Sequence, residues 1–207
     1  MPFQIDQYYD PRELYSSVMS DYWDIPDKDY FADSYKPLRE AWCAAVFGIG
    51  YENHLGACRV RVNSGSFPDF FLKTGSNEFF METTEVLAPG RRRHDEYRDP
   101  ARPPVRMVPP EQFDLDGSKS PGWVRQAIER KVRRYRAGTQ TTHLLVYINV
   151  HALGLDLNKI RDACIDYNSS FQSIWLISGQ YIATLFVSQE ARNIIGCIDG
   201  FGEAGFK

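Results

Sequence analysis

What most constrains the fold of this chain is the spacing of its β-type segments. Three short ones, 57–63, 69–73 and 78–87, lie close together, and a strongly apolar one, His143 to Val150 (HLLVYINV), lies much further on. The connections between the first three, SGSFP and TGSN, are built from residues that tight turns favour. Strands joined by hairpin-length turns pair antiparallel, so 57–87 predicts a three-stranded meander. HLLVYINV does not alternate between apolar and polar positions and reads as a strand buried on both faces. A helix over 123–137, ended by Gly138, lies before it and predicts a crossover rather than a fourth hairpin.

The rest of the chain fits around that frame. Asp10 to Met19 and Ser34 to Ile49 read as helices. The second has Pro37 in its first turn and an apolar stripe of Leu38, Trp42, Ala45, Val46 and Ile49, with Gly48 or Gly50 expected to end it. Residues 158–167 predict a helix, 173–176 and 182–187 predict strands, and the final GFGEAGFK predicts a loose tail. Residues 91–121, with five prolines between 100 and 110, read as a loop or flap. The expected architecture is α/β: a mixed central sheet with an α-β-β-β-α-β core flanked by helices. It divides into an acidic, Tyr-rich segment over 1–33 packed on the core, a main domain over 34–190 and a tail over 191–207.

At 207 residues with 43% hydrophobic and 14% aromatic content, the chain can bury a core and is not disordered as a whole. No apolar run approaches the roughly 20 residues of a spanning helix, and no secretory signal is visible, so a cytoplasmic protein without membrane association is expected. Cys43, Cys58, Cys164 and Cys197 are scattered and read as buried thiols. A zinc site from Cys43, His54 and Cys58 lacks a fourth ligand and the usual spacing. The formal charge of −3 hides an asymmetry. Residues 1–33 hold eight acids against Arg12 and Lys28, whereas 91–136 hold thirteen Lys and Arg against seven acids.

Chemistry enters with two acids. Asp69 opens the second β-type segment after Pro68, and Glu82 lies within the third. Pairing of these strands brings the two carboxylates together, and carboxylates at close range repel unless a cation lies between them. Oxygen ligands shared with water and substrate phosphate are what Mg²⁺ favours, with Mn²⁺ as the alternative ion, and such a site polarises a phosphodiester.

The order of elements, with Pro68-Asp69, twelve residues, then Glu82-Thr83-Thr84, resembles the PD-(D/E)XK, or restriction-endonuclease-like, nuclease superfamily over about residues 34–150. The resemblance implies that Asp69 and Glu82 bind Mg²⁺ and that a lysine orients the attacking water. The lysine position of that motif is Thr84, which cannot supply the charge. Lys73, on the same strand face as Asp69 by period-two parity, is the expected substitute. Lys131, at the border of the apolar stripe Val124, Ile128, Val132 and Tyr135, is the second choice. Glu40, on the first core helix, is an expected third metal acid. Glu85, of opposite parity to Glu82, reaches the site only if the strand bulges. Arg91, Arg92, Arg93, Arg130, Lys131 and Arg134 are the expected phosphate contacts. His143 reads as structural, and His94 as a weak acid–base candidate.

The expectation is a Mg²⁺-dependent endonuclease hydrolysing phosphodiester bonds, with Asp69, Glu82 and Lys73 catalytic. Nucleic acid, DNA before RNA, is the expected partner, with a homodimer possible in principle. The alternative is an inactive protein of the same fold that binds nucleic acid or a protein partner.

Overall fold

The computed structural model describes residues 3–25, 32–91, 110–135, 141–150 and 154–205. Asp10 starts the first helix, α1 (Pro11–Tyr22), by accepting from the backbone N–H groups of Arg12 and Glu13, and Pro11 occupies the first turn, where no donor is required. After a 3₁₀ turn at Asp33–Tyr35, α2 (Lys36–Leu55) again has proline in its first turn. It runs through Gly48 and Gly50, where it was expected to end, and stops at Gly56, whose φ is 119°. The two inner glycines serve close packing instead. A Cβ at Gly48 would lie 2.7 Å from Pro11 Cγ, and one at Gly50 would lie 2.8 Å from Ile182 Cγ2.

The meander is present as β1 (Arg59–Val62), β2 (Phe70–Thr74) and β3 (Asn77–Val86), antiparallel throughout. The next helix, α3 (Pro110–Tyr135), begins well before Trp123, so 110–121 is helix rather than flap, with Pro121 accommodated inside it. Residues 92–109, the remainder of that expected flap, lie outside the described residues. β4 (His143–Ile148) then pairs parallel to β3 as an internal strand, with Met81 opposite His143 and Val86 opposite Ile148. Beyond α4 (Leu157–Cys164) and a 3₁₀ segment, Ile165–Ser170, the chain adds β5 (Ser173–Ser178), parallel to β4, and β6 (Tyr181–Val187), antiparallel to β5. The chain then forms α5 (Gln189–Ile195), and the expected loose GFGEAGFK instead contains a short edge strand, β7 (Gly202–Glu203), paired with Tyr181 and Ile182.

Among the described residues this is a mixed α/β fold, with seven strands in the order β1 to β7 and five α-helices. The sheet separates two apolar layers, as the strand period requires. Leu145 of β4 joins Leu14, Leu38, Phe47, Phe70 and Trp175 on the α1–α2 side. Leu144, Val146 and Ile148 join Val124, Ile128 and Ile160 on the α3–α4 side. No described helix is long and apolar enough to cross a membrane.

One feature of the ladder positions the polar residues. β2 and β3 pair only as far as Phe70 opposite Met81, while β3 continues along β4 to Val86. Past Met81, therefore, β3 has a neighbour on one side only. Asp69 lies just outside β2 and Glu82 just past the last β2–β3 pair.

Candidate functional site

Where β2 parts from β3, the Thr83 amide has no β2 carbonyl to bond, and the Asp69 carboxylate takes that role. Asp69 Oδ2 accepts from the Thr83 backbone N–H at 2.8 Å and from the Thr83 hydroxyl at 2.6 Å. Two donors on one oxygen fix the carboxylate and leave Oδ1 free to face elsewhere. From the α2 side, Lys36 places its ammonium 2.6 Å from Glu40 Oε1 and 3.7 Å from Asp69 Oδ1. From the α3 side, Lys131 lies 2.5 Å from Glu82 Oε2 and 4.0 Å from Asp69 Oδ2. Asp69, Glu40 and Glu82 are all buried, Glu82 to 1% exposure. Glu82 Oε1 has no hydrogen-bond partner, although it is fully removed from solvent.

Burial and close neighbours shift two of these carboxyls, Glu40 and Glu82. Burial, and then the neighbouring Asp69, raise the Glu40 carboxyl to about 7, with the Lys36 bond opposing. Glu82 is also raised, by burial first and Asp69 second, while Lys131 and Tyr135 pull it back. Partial burial works against the Lys36 ammonium. Its bond to Glu40 and the attraction of Glu40, Asp69 and Glu82 outweigh that, and its pKa is raised. The site is thus a cluster of three acids held together by two lysines. The carboxylates are not a ready-made metal cage, since among the described residues no three His, Cys, Asp or Glu groups stand in a metal-holding arrangement. A Mg²⁺ ion does not require one, because it is typically bound through one or two carboxylates with waters and substrate oxygens. The unpartnered Glu82 Oε1 is an acceptor that such an ion or its water would satisfy.

The structure brings together Asp69, Glu82, Glu40 and Lys131 and leaves Lys73 out. Lys73 is exposed at the far end of β2, opposite Glu78, with its ammonium 5.5 Å from the centre of the Tyr8 ring. Glu85 accepts from Asn149 Nδ2 at 2.6 Å and lies outside the cluster. Thr84 is half-buried opposite Val146 and supplies no charge. Arg91 donates to the Asn149 carbonyl, and Arg130 and Arg134 are exposed on α3. Arg92, Arg93 and His94 lie outside the described residues. The zinc alternative finds no support: the His54 ring bonds the Glu203 carbonyl, and the Cys58 thiol, raised by burial, donates to the Gly48 carbonyl.

Lys36, Thr83 and Tyr135 were not anticipated. Lys36 and Glu40 form an i,i+4 pair on α2, and Tyr135 is one turn beyond Lys131, so helical spacing held a signal for both. Nothing in the spacing pointed to Thr83.

No protein-family model matches the chain, and no curated protein matches it. A solved structure does. It is a protein of unknown function from Pseudomonas aeruginosa strain PAO1, described as belonging to the monooxygenase superfamily. The match has a TM-score of 0.54 and 15% identity, and it covers 95% of this chain and 94% of that one. At that identity the likeness concerns the fold alone. It overturns the resemblance to the PD-(D/E)XK nucleases and removes the support that a nuclease assignment drew from it, because nearly the whole chain follows a protein placed in a different superfamily. The physical reason is the brevity of the motif. Two acids at a set spacing arise wherever a polar pair flanks a hairpin, and the lysine that would have made the pattern specific is Thr84 here.

Proposed function

We propose that this chain hydrolyses phosphodiester bonds with the help of a divalent cation. The reading rests on side-chain geometry and not on family membership. The observation that carries it is the gathering of three buried carboxylates, one with an unpartnered oxygen, between two lysines where two strands separate. Asp69 and Glu82 would hold a Mg²⁺ or Mn²⁺ ion, with Glu40 completing its surroundings directly or through water. An ion so placed polarises a phosphoryl oxygen and offsets the charge that builds on it.

The chain's own groups do the rest. Lys131 lies within 4.0 Å of both Asp69 and Glu82, close enough to orient a water and to stabilise negative charge in the transition state. Thr83 keeps Asp69 from rotating, with two hydrogen bonds to one oxygen. Glu40, raised to about 7, holds or releases a proton near neutrality. Arg130 and Arg134, exposed on the helix that carries Lys131, can meet the phosphates of a nucleic-acid strand.

A second reading is a binding protein without catalysis, and one observation favours it: Lys36 and Lys131 already neutralise the acids without any ion. Calorimetry with Mn²⁺ separates the two. Wild type should bind the ion, and Asp69→Asn should lose most of the affinity while keeping the fold. Incubation with plasmid, linear and single-stranded DNA, and with RNA, in Mg²⁺, Mn²⁺ or EDTA should show metal-dependent cleavage. Equal Mn²⁺ binding by wild type and an Asp69→Asn/Glu82→Gln double variant would remove the metal reading.

A further inference from the structure

Beside the acid cluster lie two aromatic rings that its charge chemistry does not account for. Phe67 precedes Asp69 by two residues, and its side chain remains 39% exposed. Tyr135 lies one helical turn beyond Lys131 and acts to lower the raised pKa of Glu82. The two ring centroids are 5.6 Å apart and the planes are inclined by 45°, so the rings touch without covering each other's faces. Two cations lie near the Tyr135 ring, the Lys131 ammonium at 5.2 Å from its centre and the Arg134 guanidinium at 5.6 Å.

An exposed ring is a cost in water unless something covers it, and the surroundings select what that is. The neighbouring cations disfavour a cationic partner. The acid cluster on the other side, read as a phosphodiester site, places a phosphate within one nucleotide's reach. A flat, π-faced group attached to a phosphate, attracted by nearby Lys and Arg, is a nucleobase. A base paired within a duplex already has both faces stacked, so a ring can stack only on an unstacked one.

We infer that Phe67 and Tyr135 form a stacking site for a nucleobase next to the acid cluster, so that the favoured ligand is single-stranded nucleic acid. The inference rests on the phosphodiester reading above and narrows it to a substrate class. Phe67 is the residue to test, because it is exposed and makes no polar bond, whereas Tyr135 also supports Glu82.

The experiment is fluorescence anisotropy with a short labelled single-stranded oligonucleotide and its duplex, in EDTA and in Ca²⁺, for wild type, Phe67→Ala, Phe67→Leu and Phe67→Trp. Wild type should prefer the single strand by about tenfold or more. Phe67→Ala and Phe67→Leu should weaken single-strand binding about five- to a hundredfold, in line with the loss of one stacked base, while Phe67→Trp keeps it. Duplex binding should stay within about twofold in all of them. Equal affinity for the two forms, or unchanged single-strand binding in Phe67→Ala, overturns the stacking site. Cleavage of bis(4-nitrophenyl) phosphate is followed in parallel. If that cleavage is present while Phe67→Ala binds normally, the stacking site alone fails. If no divalent cation supports cleavage of it or of either strand, the phosphodiester reading fails, and this inference with it.

Discussion

Lys131 and Lys73 show what a residue-level argument can and cannot reach. Parity along the second β-type segment puts Asp69 and Lys73 on one expected face, but it says nothing of distance. Four residues of strand span about 13 Å, and Lys73 ends beside Tyr8 rather than beside the acids. The helical wheel placed Lys131 at the edge of the apolar stripe, and tertiary packing of α3 on β3 then carried its ammonium to Glu82. The acids themselves were legible because strand pairing alone brings 69 and 82 together. The pairing of Lys36 with Glu40 was open to helical spacing, but its approach to Asp69 was not legible, because it depends on how α2 lies across the gap between β2 and β3. Lys131→Ala should therefore lower any hydrolytic rate by about two to four decades, while Lys73→Ala leaves it within about twofold of wild type by the same reasoning. Lys131→Ala should also destabilise the fold by roughly 3 kcal/mol, since it strands the Glu82 carboxylate in the interior. Urea denaturation beside the rate measurement checks both effects. A Lys131→Ala variant of full activity and wild-type stability would show that the ammonium does neither job.

At the scale of elements, glycine misled the reading of α2 for an identifiable reason. Inside a helix, glycine costs about 1 kcal/mol relative to alanine, and without tertiary knowledge a stop is the simpler explanation. The close approach of Pro11 to Gly48 comes from α1, thirty-odd residues away in sequence. Gly48→Ala gains the helix propensity but drives its Cβ to 2.7 Å from a proline ring that cannot swing aside. The net effect should be a loss of roughly 1–2 kcal/mol, read as a lower urea midpoint with an unchanged slope. The start of β4 carries a second device. His143 is buried, with Nδ1 2.7 Å from Ser173 Oγ, and that oxygen also accepts from the Trp175 indole N–H. Burial lowers the His143 pKa from 6.5 to about 4. The unfolded chain then binds a proton that the folded chain refuses between those values. The neutral-His contribution is complete above pH 6.5 and is lost as the pH falls toward 4, for a total of about 3 kcal/mol. Stability measured across that window should fall steeply in wild type and less steeply in His143→Gln. Parallel slopes would exclude His143 as the cause.

The architecture of the whole molecule depends on its first residues. The segment over 1–33 reads from sequence as an acidic, Tyr-rich stretch packed on the core. Its described residues complete the sheet and the core. Tyr9 exchanges backbone hydrogen bonds with Val60, and Asp6 donates to the Val62 carbonyl, so the outer edge of β1 is occupied. Tyr8 lies over the outer face of the meander, donating to Glu78 and meeting Arg61 and Lys73 with its ring. Phe3, Leu14 and Val18 are buried in the apolar layer shared with α2. Composition could not show this, since the apolar residues that matter are few and set among acids. Removing residues 1–22 would delete those three buried side chains and uncover the apolar layer beneath them, at about 1.5–3 kcal/mol for each side chain lost, against a total stability of about 5–15 kcal/mol for a domain of this kind. It would also expose β1 as a free edge strand, which favours association between chains. The truncated protein should therefore lose its cooperative thermal transition and elute as aggregates, although every residue of the acid cluster is still present. Circular dichroism melts and size-exclusion chromatography test this directly. A truncated chain that stays monomeric and melts within a few degrees of wild type would mean that the segment is an appendage to the sheet and core and not a part of them.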